Sequence, residues 1–237
     1  MRLALLALLL TGVIGCGLES GRPAEDWKSD TENGGAAESD SEFTVTLDAA
    51  ENGDAAAQRN LANMYRHGQG VAKDNAEAEK WYRRAAEQGD AEAQYNLGVI
   101  YRYGRGVPKD NTEAVKWYRK AAEQGDTKGQ FVLGNMYYDG RGVPKDQAEA
   151  VKWWRKAAEQ GSANGQWGLG IAYRHGDGVP QDDVEAYIWF SIAATNGDVV
   201  AKKQLSEVKA RLTPEQLIAA DERAAELTEQ ISVNQAK

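Results

Sequence analysis

The chain has 237 residues and a formal net charge of -8, with 42% hydrophobic and 8% aromatic residues. A net negative charge argues against a protein built to hold the phosphate backbone of nucleic acid, so we expect no nucleic-acid partner. The apolar residues are rich in Ala, Trp and Tyr and poor in Val and Ile, which favours packed helices over sheets.

The first sixteen residues predict export and lipid attachment. Arg2 precedes an unbroken apolar run over 3–10, which is too short to span a bilayer and has the dimensions of a secretory signal. Residues 13–16, Val-Ile-Gly-Cys, resemble the lipobox of bacterial lipoproteins, which implies that 1–15 is a signal peptide and that Cys16 is acylated. Cys16 is the single cysteine, so it has no partner for an intramolecular disulfide. The alternative is an ordinary signal peptide followed by an incidental cysteine.

After the anchor, a disordered tether is predicted. Several acyl chains on Cys16 would hold the protein on a membrane of the bacterial cell envelope. Gly17 in place of Asp points, in a cell with two membranes, to the outer membrane and its periplasmic side. Residues 19–42 are acidic, rich in Ser and Gly and almost free of large apolar residues, so they bury too little surface to offset the entropy of ordering. We assign 16–45 to this tether.

A thirty-six-residue period organises the chain from residue 46 onwards. The pentapeptide Ala-Ala-Glu-Gln-Gly occurs at 85–89, 121–125 and 157–161. Asp or Ser follows each glycine of this column, as expected where Gly ends one helix and a polar residue caps the next. A second helix start, Asp-x-x-Glu, recurs within each unit. Each unit therefore contains two helices, and we place the four units near 53–88, 89–124, 125–160 and 161–196.

The residue columns within a unit indicate a known repeat. Leu and Tyr lie four residues apart on the first helix, and Ala, Trp, Tyr and Ala follow an i, i+3, i+4, i+7 spacing on the second. The columns Leu-Gly-x-x-Tyr, Gly-x-Gly-Val, Ala-x-x-Trp and Ala-Ala-x-x-Gly resemble the Sel-one-like repeat family, relatives of tetratricopeptide repeats. The resemblance covers Thr46 to Arg211. It implies an all-α fold, an α-solenoid wound as a right-handed superhelix, with the first helices on its concave surface.

The ends of the solenoid, which we assign to 46–212, are predicted to differ from the internal units. No single repeat buries its own apolar face, so terminal units need a polar outer side. Residues 48–53 resemble only the tail of a second helix, and 198–211 resemble a first helix. Thr213 and Pro214 then begin a last helix as N-cap and N1 residue, so 213–237 is assigned as a C-terminal capping helix and tail. Ile188 and Ile192 stand where other units have Lys or Arg, a mild departure.

A variable stripe on the first helices is the candidate partner-binding groove. At about 100° per residue, each first helix exposes the positions equivalent to 59, 63 and 66, which are aromatic, apolar and arginine-rich. In the resembled family these helices line a concave groove. The alternative is that Tyr95, Phe131 and Trp167 pack against the adjacent repeat. The stripe consists of Arg59, Arg66, Tyr95, Val99, Arg102, Phe131, Asn135, Tyr138, Trp167, Ile171 and Arg174.

Several short matches to catalytic and metal-binding motifs are better explained by the residue types that recur at equivalent positions of the repeat units. Ser206 and Lys209 match the Ser-x-x-Lys of penicillin-recognising enzymes, but Ser206 continues a column of small residues and the accompanying motifs are missing. His67 and His175 occupy one column three repeats apart, too far apart to share a metal. Residues 104–106, Gly-Arg-Gly, recur in similar form as a connector and do not follow a strand. We therefore predict no catalytic residue, no metal and no cofactor.

These features favour a membrane-anchored, non-enzymatic scaffold or adaptor of the bacterial cell envelope. Its expected partner is an unidentified envelope protein or peptide, bound in the concave groove. The alternative is a binder of cell-wall material or a β-lactam-hydrolysing enzyme, and a third hypothesis is a purely structural spacer.

Overall fold

A computed structural model describes residues 36–236, and this part of the chain contains eleven α-helices joined by short connectors. Their bounds are α1 Ala36–Glu51, α2 Ala55–His67, α3 Asn75–Glu87, α4 Ala91–Tyr103, α5 Asn111–Glu123, α6 Thr127–Asp139, α7 Gln147–Glu159, α8 Ala163–His175, α9 Asp183–Thr195, α10 Val199–Lys209 and α11 Pro214–Gln235. The predicted signal peptide, Cys16 and residues 16–35 of the predicted tether lie outside the described residues. Within 36–236, no helix is both long enough and apolar enough to cross a membrane.

The first helices of the four units are α2, α4, α6 and α8, and each begins at the predicted Asp or Ser cap and ends at the first glycine of the connector. In α4 the side chain of Asp90 accepts a hydrogen bond from the backbone nitrogen of Ala93 at 2.7 Å. Gly104 follows the helix with φ of 69°, and its N–H donates to the carbonyl oxygen of Ile100 at 2.9 Å. Residues that carry a Cβ rarely adopt this left-handed backbone conformation, which explains why glycine recurs at this position in every unit.

The second helices, α3, α5, α7 and α9, pack against the first helices to form hairpins that stack in succession. The protein is therefore an α-solenoid. In units two to four, a glycine makes room for the large ring of the second helix. A Cβ on Gly98 would lie 2.6 Å from the ring of Tyr118, and a Cβ on Gly134 would lie 2.5 Å from that of Trp154. The small-residue column thus permits close approach of the two helices.

A buried glutamine in each first helix ties three helices together. In unit two, Nε2 of Gln94 donates to the carbonyl oxygen of Ala86 in α3 at 3.0 Å. Its Oε1 accepts from Nε2 of Gln124, at the end of α5, at 2.7 Å. The equivalent residues of the other units make the same pair of bonds: Gln58, Gln130 and Gln166. Because a buried amide that loses a partner is costly, this column holds successive units in one register.

Helix α1 packs against the N-terminal unit and corrects the predicted boundary of the tether. The helix begins at Ala36, so residues 36–45 are helical and not disordered. The ring of Phe43 meets that of Tyr65 edge-on at 5.8 Å, and the carbonyl oxygen of Ala50 accepts from Gln58 at 3.0 Å. These contacts place α1 where a second helix of a preceding unit would lie. Tertiary contacts stabilise a segment whose own composition is polar.

Helix α11 covers the second helix of the last unit. It packs along α9, where Ile188 and Ile192 are only 3% and 2% exposed. The hydroxyl of Tyr187 donates to Oδ1 of Asp221 in α11 at 2.8 Å. In units one to three the position of Ile188 holds lysines that are exposed and pair with glutamates three residues earlier. The two isoleucines thus form the apolar surface against which the capping helix packs. The sequence analysis had treated them only as a mild departure from the repeat.

Candidate partner-binding groove

The eleven stripe residues do not form the solvated face that the helical period predicted. Arg66, Val99 and Ile171 are buried, and the other eight residues are half-buried. The helical period describes one helix alone, whereas each first helix here also contacts the unit beside it and the second helix beneath it. The stripe is therefore corrected from an exposed row to a half-buried row with limited accessible surface.

Three stripe arginines bind the next unit along the solenoid. The pairs are Arg59 Nη1 with Asp90 Oδ2 at 2.8 Å, Arg66 Nη1 with Asn96 Oδ1 at 3.4 Å, and Arg174 Nη2 with Glu207 Oε2 at 2.7 Å. Each bond joins a first helix to the cap or body of the following one. These arginines consequently help to hold the units together, whatever else they contact.

Two aromatic stripe residues, Tyr95 and Tyr138, each contact an aromatic ring of their own unit. The ring of Tyr95 lies 5.8 Å from that of Tyr118 in the same hairpin, and Tyr95 also packs against a core cluster that includes Leu133 of the following unit. The ring of Tyr138 lies 5.4 Å from that of Trp154, again within one hairpin. Tyr138 also reaches the next unit, because its hydroxyl donates to Oδ2 of Asp177 at 2.7 Å.

Beneath the stripe, an aromatic residue of each second helix faces the position equivalent to 63. In unit one the hydroxyl of Tyr82 donates to Oδ1 of Asn63. In unit three Nε1 of Trp154 donates to Oδ1 of Asn135 at 3.0 Å. In unit four the same two positions hold Phe190 and Ile171, which require no hydrogen bond. Donor and acceptor are thus either both present or both missing in these three units.

Unit two breaks this match, because the two positions hold Tyr118 and Val99. The Tyr118 side chain is fully buried, and its hydroxyl has no hydrogen-bond partner among the described residues. Burial raises the pKa of Tyr118 far above its ordinary value, so the phenol remains a protonated donor. The charge of Arg102 acts in the opposite direction on this pKa.

An exposed aromatic side chain stands at the outer edge of unit two. Tyr103 is 46% exposed, and the guanidinium carbons of Arg102 and Arg105 lie 5.2 and 5.3 Å from the centroid of its ring. Burial also raises the pKa of Tyr95, and the negative charge of Asp126 adds to the shift. In unit two, three tyrosines and two arginines therefore lie in or next to the stripe.

The residues weighed for catalysis and metal binding lie on the surface. Ser206 is exposed, and its Oγ donates to the carbonyl oxygen of Lys202 in its own helix at 3.2 Å. Lys209 is exposed at the end of α10, while His67 and His175 are exposed at the ends of α2 and α8. Within the described part of the chain, no group of three or more His, Cys, Asp or Glu side chains is arranged to hold a metal ion.

Sequence reasoning missed Tyr118, the residue with the most unusual environment in the stripe region. The signal was present in the columns, since Val99 replaces the Asn that two other units carry opposite a polar ring. Recognising it required knowledge that these two positions touch. They lie 19 residues apart in units one and three, on helices whose mutual rotation a single-helix projection does not supply.

The fold is a repeat solenoid. Its frame, the helix caps, buried glutamines and small residues that recur in the units, is constant, whereas the stripe side chains differ from unit to unit. A family model described as the Sel1 repeat matches residues 55–90, 91–126, 127–162 and 163–198. The chain belongs to the Sel1 repeat family, whose members generally mediate protein–protein interaction. The matched units begin two residues later than the predicted ones and keep the same period.

Two solved structures are similar to this chain. The crystal structure of c5321, a protective antigen present in uropathogenic Escherichia coli strains and displaying an SLR fold, shares 43% identity over 81% of the chain with a TM-score of 0.71. A Sel1 repeat protein from Oxalobacter formigenes shares 36% identity over 72% of the chain with a TM-score of 0.66. The alignments span 41% and 50% of the lengths of these two proteins. A comparison with curated proteins found no match.

Proposed function

We propose that the protein is a non-enzymatic scaffold or adaptor of the bacterial cell envelope, which binds a protein or peptide partner along the stripe of its first helices. Acyl chains on Cys16 anchor it to the outer membrane on the periplasmic side. The acidic segment that follows Cys16 gives the solenoid reach from the membrane surface. The partner is an envelope protein or a peptide segment of one.

The contrast between a constant frame and a variable stripe carries this proposal. Frame positions repeat both their residue type and their contacts, as the buried glutamines and the capping glycines do. At one stripe position the four units carry Arg59, Tyr95, Phe131 and Trp167, and all four are half-buried, so part of each side chain reaches the surface. Aromatic and Arg side chains contribute most to binding interfaces, and the frame does not require these particular ones.

Affinity capture from the native envelope, after mild cross-linking, tests the proposal. The bait is the tagged full-length protein, compared with a stripe variant that carries Phe131→Ala and Trp167→Ala. We expect the wild type to recover a defined partner and the stripe variant to recover at most about a tenth as much, which corresponds to roughly 1.4 kcal/mol of lost binding.

A matched control carries the same number of substitutions on the second helices. Lys116→Ala and Lys152→Ala remove side chains that are 62% and 70% exposed, so the fold tolerates their loss. The control is expected to recover the partner as the wild type does. Circular dichroism on all three proteins establishes that each is folded. Equal recovery by the wild type and the stripe variant would contradict binding through the stripe.

A further inference from the structure

We propose that the protein associates head to tail with copies of itself, and that α10 of one copy and α1 of the next copy together form one complete hairpin. Helix α10 has the place of a first helix and α1 has the place of a second helix. Neither helix has its counterpart within residues 36–236. The occupant of both faces is therefore a second copy of this chain, and the contact does not depend on partner binding through the stripe.

Helix α10 keeps the contacts that a first helix makes with the unit before it. Oδ1 of Asp198 accepts a hydrogen bond from the backbone nitrogen of Ala201 at 2.8 Å, as Asp90 does from Ala93 in α4. The backbone nitrogen of Asp198 donates to the carbonyl oxygen of Ala193 in α9 at 2.9 Å, and the equivalent bond occurs at the start of each internal unit. Helix α10 therefore continues the stack in the register of the repeats.

The face of α10 that a second helix would cover is open to solvent. The helix that follows it, α11, packs along α9 rather than along α10. Ser206 is exposed, whereas Gly98 and Gly134 at the equivalent position are buried under a ring of the second helix. Leu205 is half-buried, although the equivalent leucine of every internal unit is 0% exposed. Val199, at the start of α10, is 75% exposed. No described helix therefore covers this face.

Helix α1 is exposed on the complementary face. It packs against unit one as a second helix does, but the side that would face its own first helix is uncovered by the described residues. Val45 is 70% exposed, whereas Trp81 at the equivalent position of α3 is 6% exposed. Thr46 is half-buried where Tyr82 is fully buried, and Glu42 is exposed where the other second helices carry a buried alanine. A first helix supplied by another copy would cover this side.

The repeat register determines which side chains meet between two copies. Within one chain, Nη1 of Arg59 lies 2.8 Å from Oδ2 of Asp90, which joins the first helix of unit one to the cap of unit two. The residues at the equivalent positions across the proposed contact are Lys203 of one copy and Asp54 of the next, and both are exposed. The equivalent caps inside the solenoid are half-buried or buried. Head-to-tail association therefore places opposite charges together.

A second pair of positions in the register is also complementary. In unit four, Nδ2 of Asn196 donates to Oε1 of the buried Gln166 at 2.9 Å. Across two copies, Lys202 takes the position of the buried glutamine and Asn52 takes that of the asparagine. A lysine only donates, and Asn52 has an amide oxygen that can accept from it. The positive charge of Lys202 would also lie at the C-terminal end of α1, where the helix dipole favours a cation.

The charges on the two helices favour attraction between them. The exposed charged residues of α1 within 42–51 are all acidic, and those of α10 are mostly basic: Glu42, Asp48 and Glu51 on α1, and Lys202, Lys203 and Lys209 on α10. Glu207, the acidic residue of α10, already pairs with Arg174 at 2.7 Å. Because Glu42 and Ser206 replace smaller residues, this hairpin packs less closely than the internal ones. We therefore expect reversible association that weakens as salt is added.

Disulfide trapping between two forms of the full-length chain tests the contact. Both forms carry Cys16→Ser, and one carries Ser206→Cys while the other carries Thr46→Cys, so each has a single thiol. The equivalent positions in unit two hold Gly98 and Tyr118, and a Cβ on Gly98 would lie 3.0 Å from Cγ of Tyr118. Two cysteines at such positions meet the separation of about 3.5–4.5 Å between Cβ atoms that a disulfide requires. We expect the mixed forms to give a cross-linked dimer on oxidation.

The matched control for trapping moves one cysteine to another exposed serine. Ser232→Cys, on α11, replaces Ser206→Cys in the mixture with the Thr46→Cys form. Because residue 232 lies outside the proposed contact, this mixture should give several times less cross-linked dimer. Circular dichroism establishes that each form is folded.

Sedimentation velocity across a concentration series measures the association without a cross-link. The mass of the Cys16→Ser chain should rise with concentration. Lys203→Glu in that chain places a negative charge opposite Asp54 and should weaken association about fivefold, in line with the energies of exposed ion pairs. Lys128→Glu makes the same change in net charge at an exposed position of α6, and it should associate as the parent chain does.

Three results would each overturn the head-to-tail contact. They are cross-linking of the Ser206→Cys and Thr46→Cys forms no greater than in the control, a mass that stays that of one chain at every concentration, and equal association of Lys203→Glu and Lys128→Glu. The second result would also follow if another part of the same chain covers α10. The envelope capture of a partner through the stripe is measured separately, so the proposed function stands or fails on its own result.

Discussion

The indole nitrogen of Trp154 donates a hydrogen bond to Oδ1 of Asn135 at 3.0 Å, across the contact between α7 and α6. The equivalent residues of unit two are Tyr118 and Val99, and there the donor has no partner among the described residues. Two hairpins with the same frame thus differ in one polar contact beneath the stripe. Differences of this kind, and not the frame, distinguish the units.

Removal of a hydroxyl is expected to have different effects on the free energy of unfolding in units one and two. Tyr82→Phe leaves Oδ1 of Asn63 without its donor, so the free energy of unfolding should fall by about 1 kcal/mol. Tyr118→Phe removes a buried group that has no partner, so the same quantity should stay constant or rise. Urea unfolding followed by circular dichroism measures both. An equally large loss for Tyr118→Phe would mean that its hydroxyl is satisfied, for example by a buried water.

The buried glutamine of unit two should be hard to replace. Gln94→Leu leaves the side-chain amide of Gln124 without its acceptor and removes one of the hydrogen bonds to the carbonyl oxygen of Ala86, which keeps the bond from the backbone nitrogen of Gly89. We therefore expect a loss of about 1–3 kcal/mol in the free energy of unfolding. Gln181→Leu, in an exposed connector, is the matched control and should change it by less than about 0.5 kcal/mol. Similar losses in both variants would show that the three-helix link contributes little.

Gly98→Ala tests the close approach of the hairpin in unit two. Alanine favours a helix over glycine by about 1 kcal/mol, which alone would stabilise α4. The added Cβ would lie 2.6 Å from the ring of Tyr118, however, and overpacking of a core costs about 1–3 kcal/mol. Because the second effect is larger, thermal unfolding should show a lower midpoint. A higher midpoint would mean that the Tyr118 ring moves aside without cost.

Removal of helix α11 should cause self-association. A chain that ends after Leu212 exposes Ile188 and Ile192, and an exposed apolar patch promotes contacts between copies. Light scattering across a concentration series should show larger species than the intact protein forms. In the same truncated chain, Ile188→Lys with Ile192→Arg restores the residue types of unit one. This variant should show the same number of chains per particle as the intact protein. If association persists in this variant, a surface other than the one formed by Ile188 and Ile192 is responsible for it.

Lipid attachment has a direct test, since it rests on one side chain. Labelled fatty acid should be incorporated into the wild-type protein and not into Cys16→Ser, and the variant should leave the membrane fraction. The physical reason is that acyl chains supply the hydrophobic attachment, and a hydroxyl in place of the thiol is not acylated. Persistent labelling of Cys16→Ser would sink the assignment of Cys16 as the anchor.

Local patterns in the sequence were sufficient to predict the frame of the solenoid. Helix starts follow from capping residues such as Asp90, whose side-chain bond reaches only three positions along the chain. The thirty-six-residue period repeats these signals, so the order and pairing of helices could be predicted without a structure. The final helix was likewise predicted from Thr213 and Pro214, which form its cap and first position.

Contacts between distant positions were decided only by the tertiary structure. Residues 36–45 form a helix because Phe43 and the residues after it pack on unit one, although their composition predicts disorder. The stripe is half-buried in part because Arg59, Arg66 and Arg174 contact residues 30 or more positions further along the chain.

The sequence by itself therefore determined the class of fold, the number of repeats and the positions of their caps, because hydrogen bonds and apolar periods within one helix are short-range. The tertiary structure decided which side chains are covered, why Ile188 and Ile192 are apolar, and that the hydroxyl of Tyr118 lacks a partner. These properties depend on how helices rotate and approach one another, which is set by packing between helices and not by any one helix.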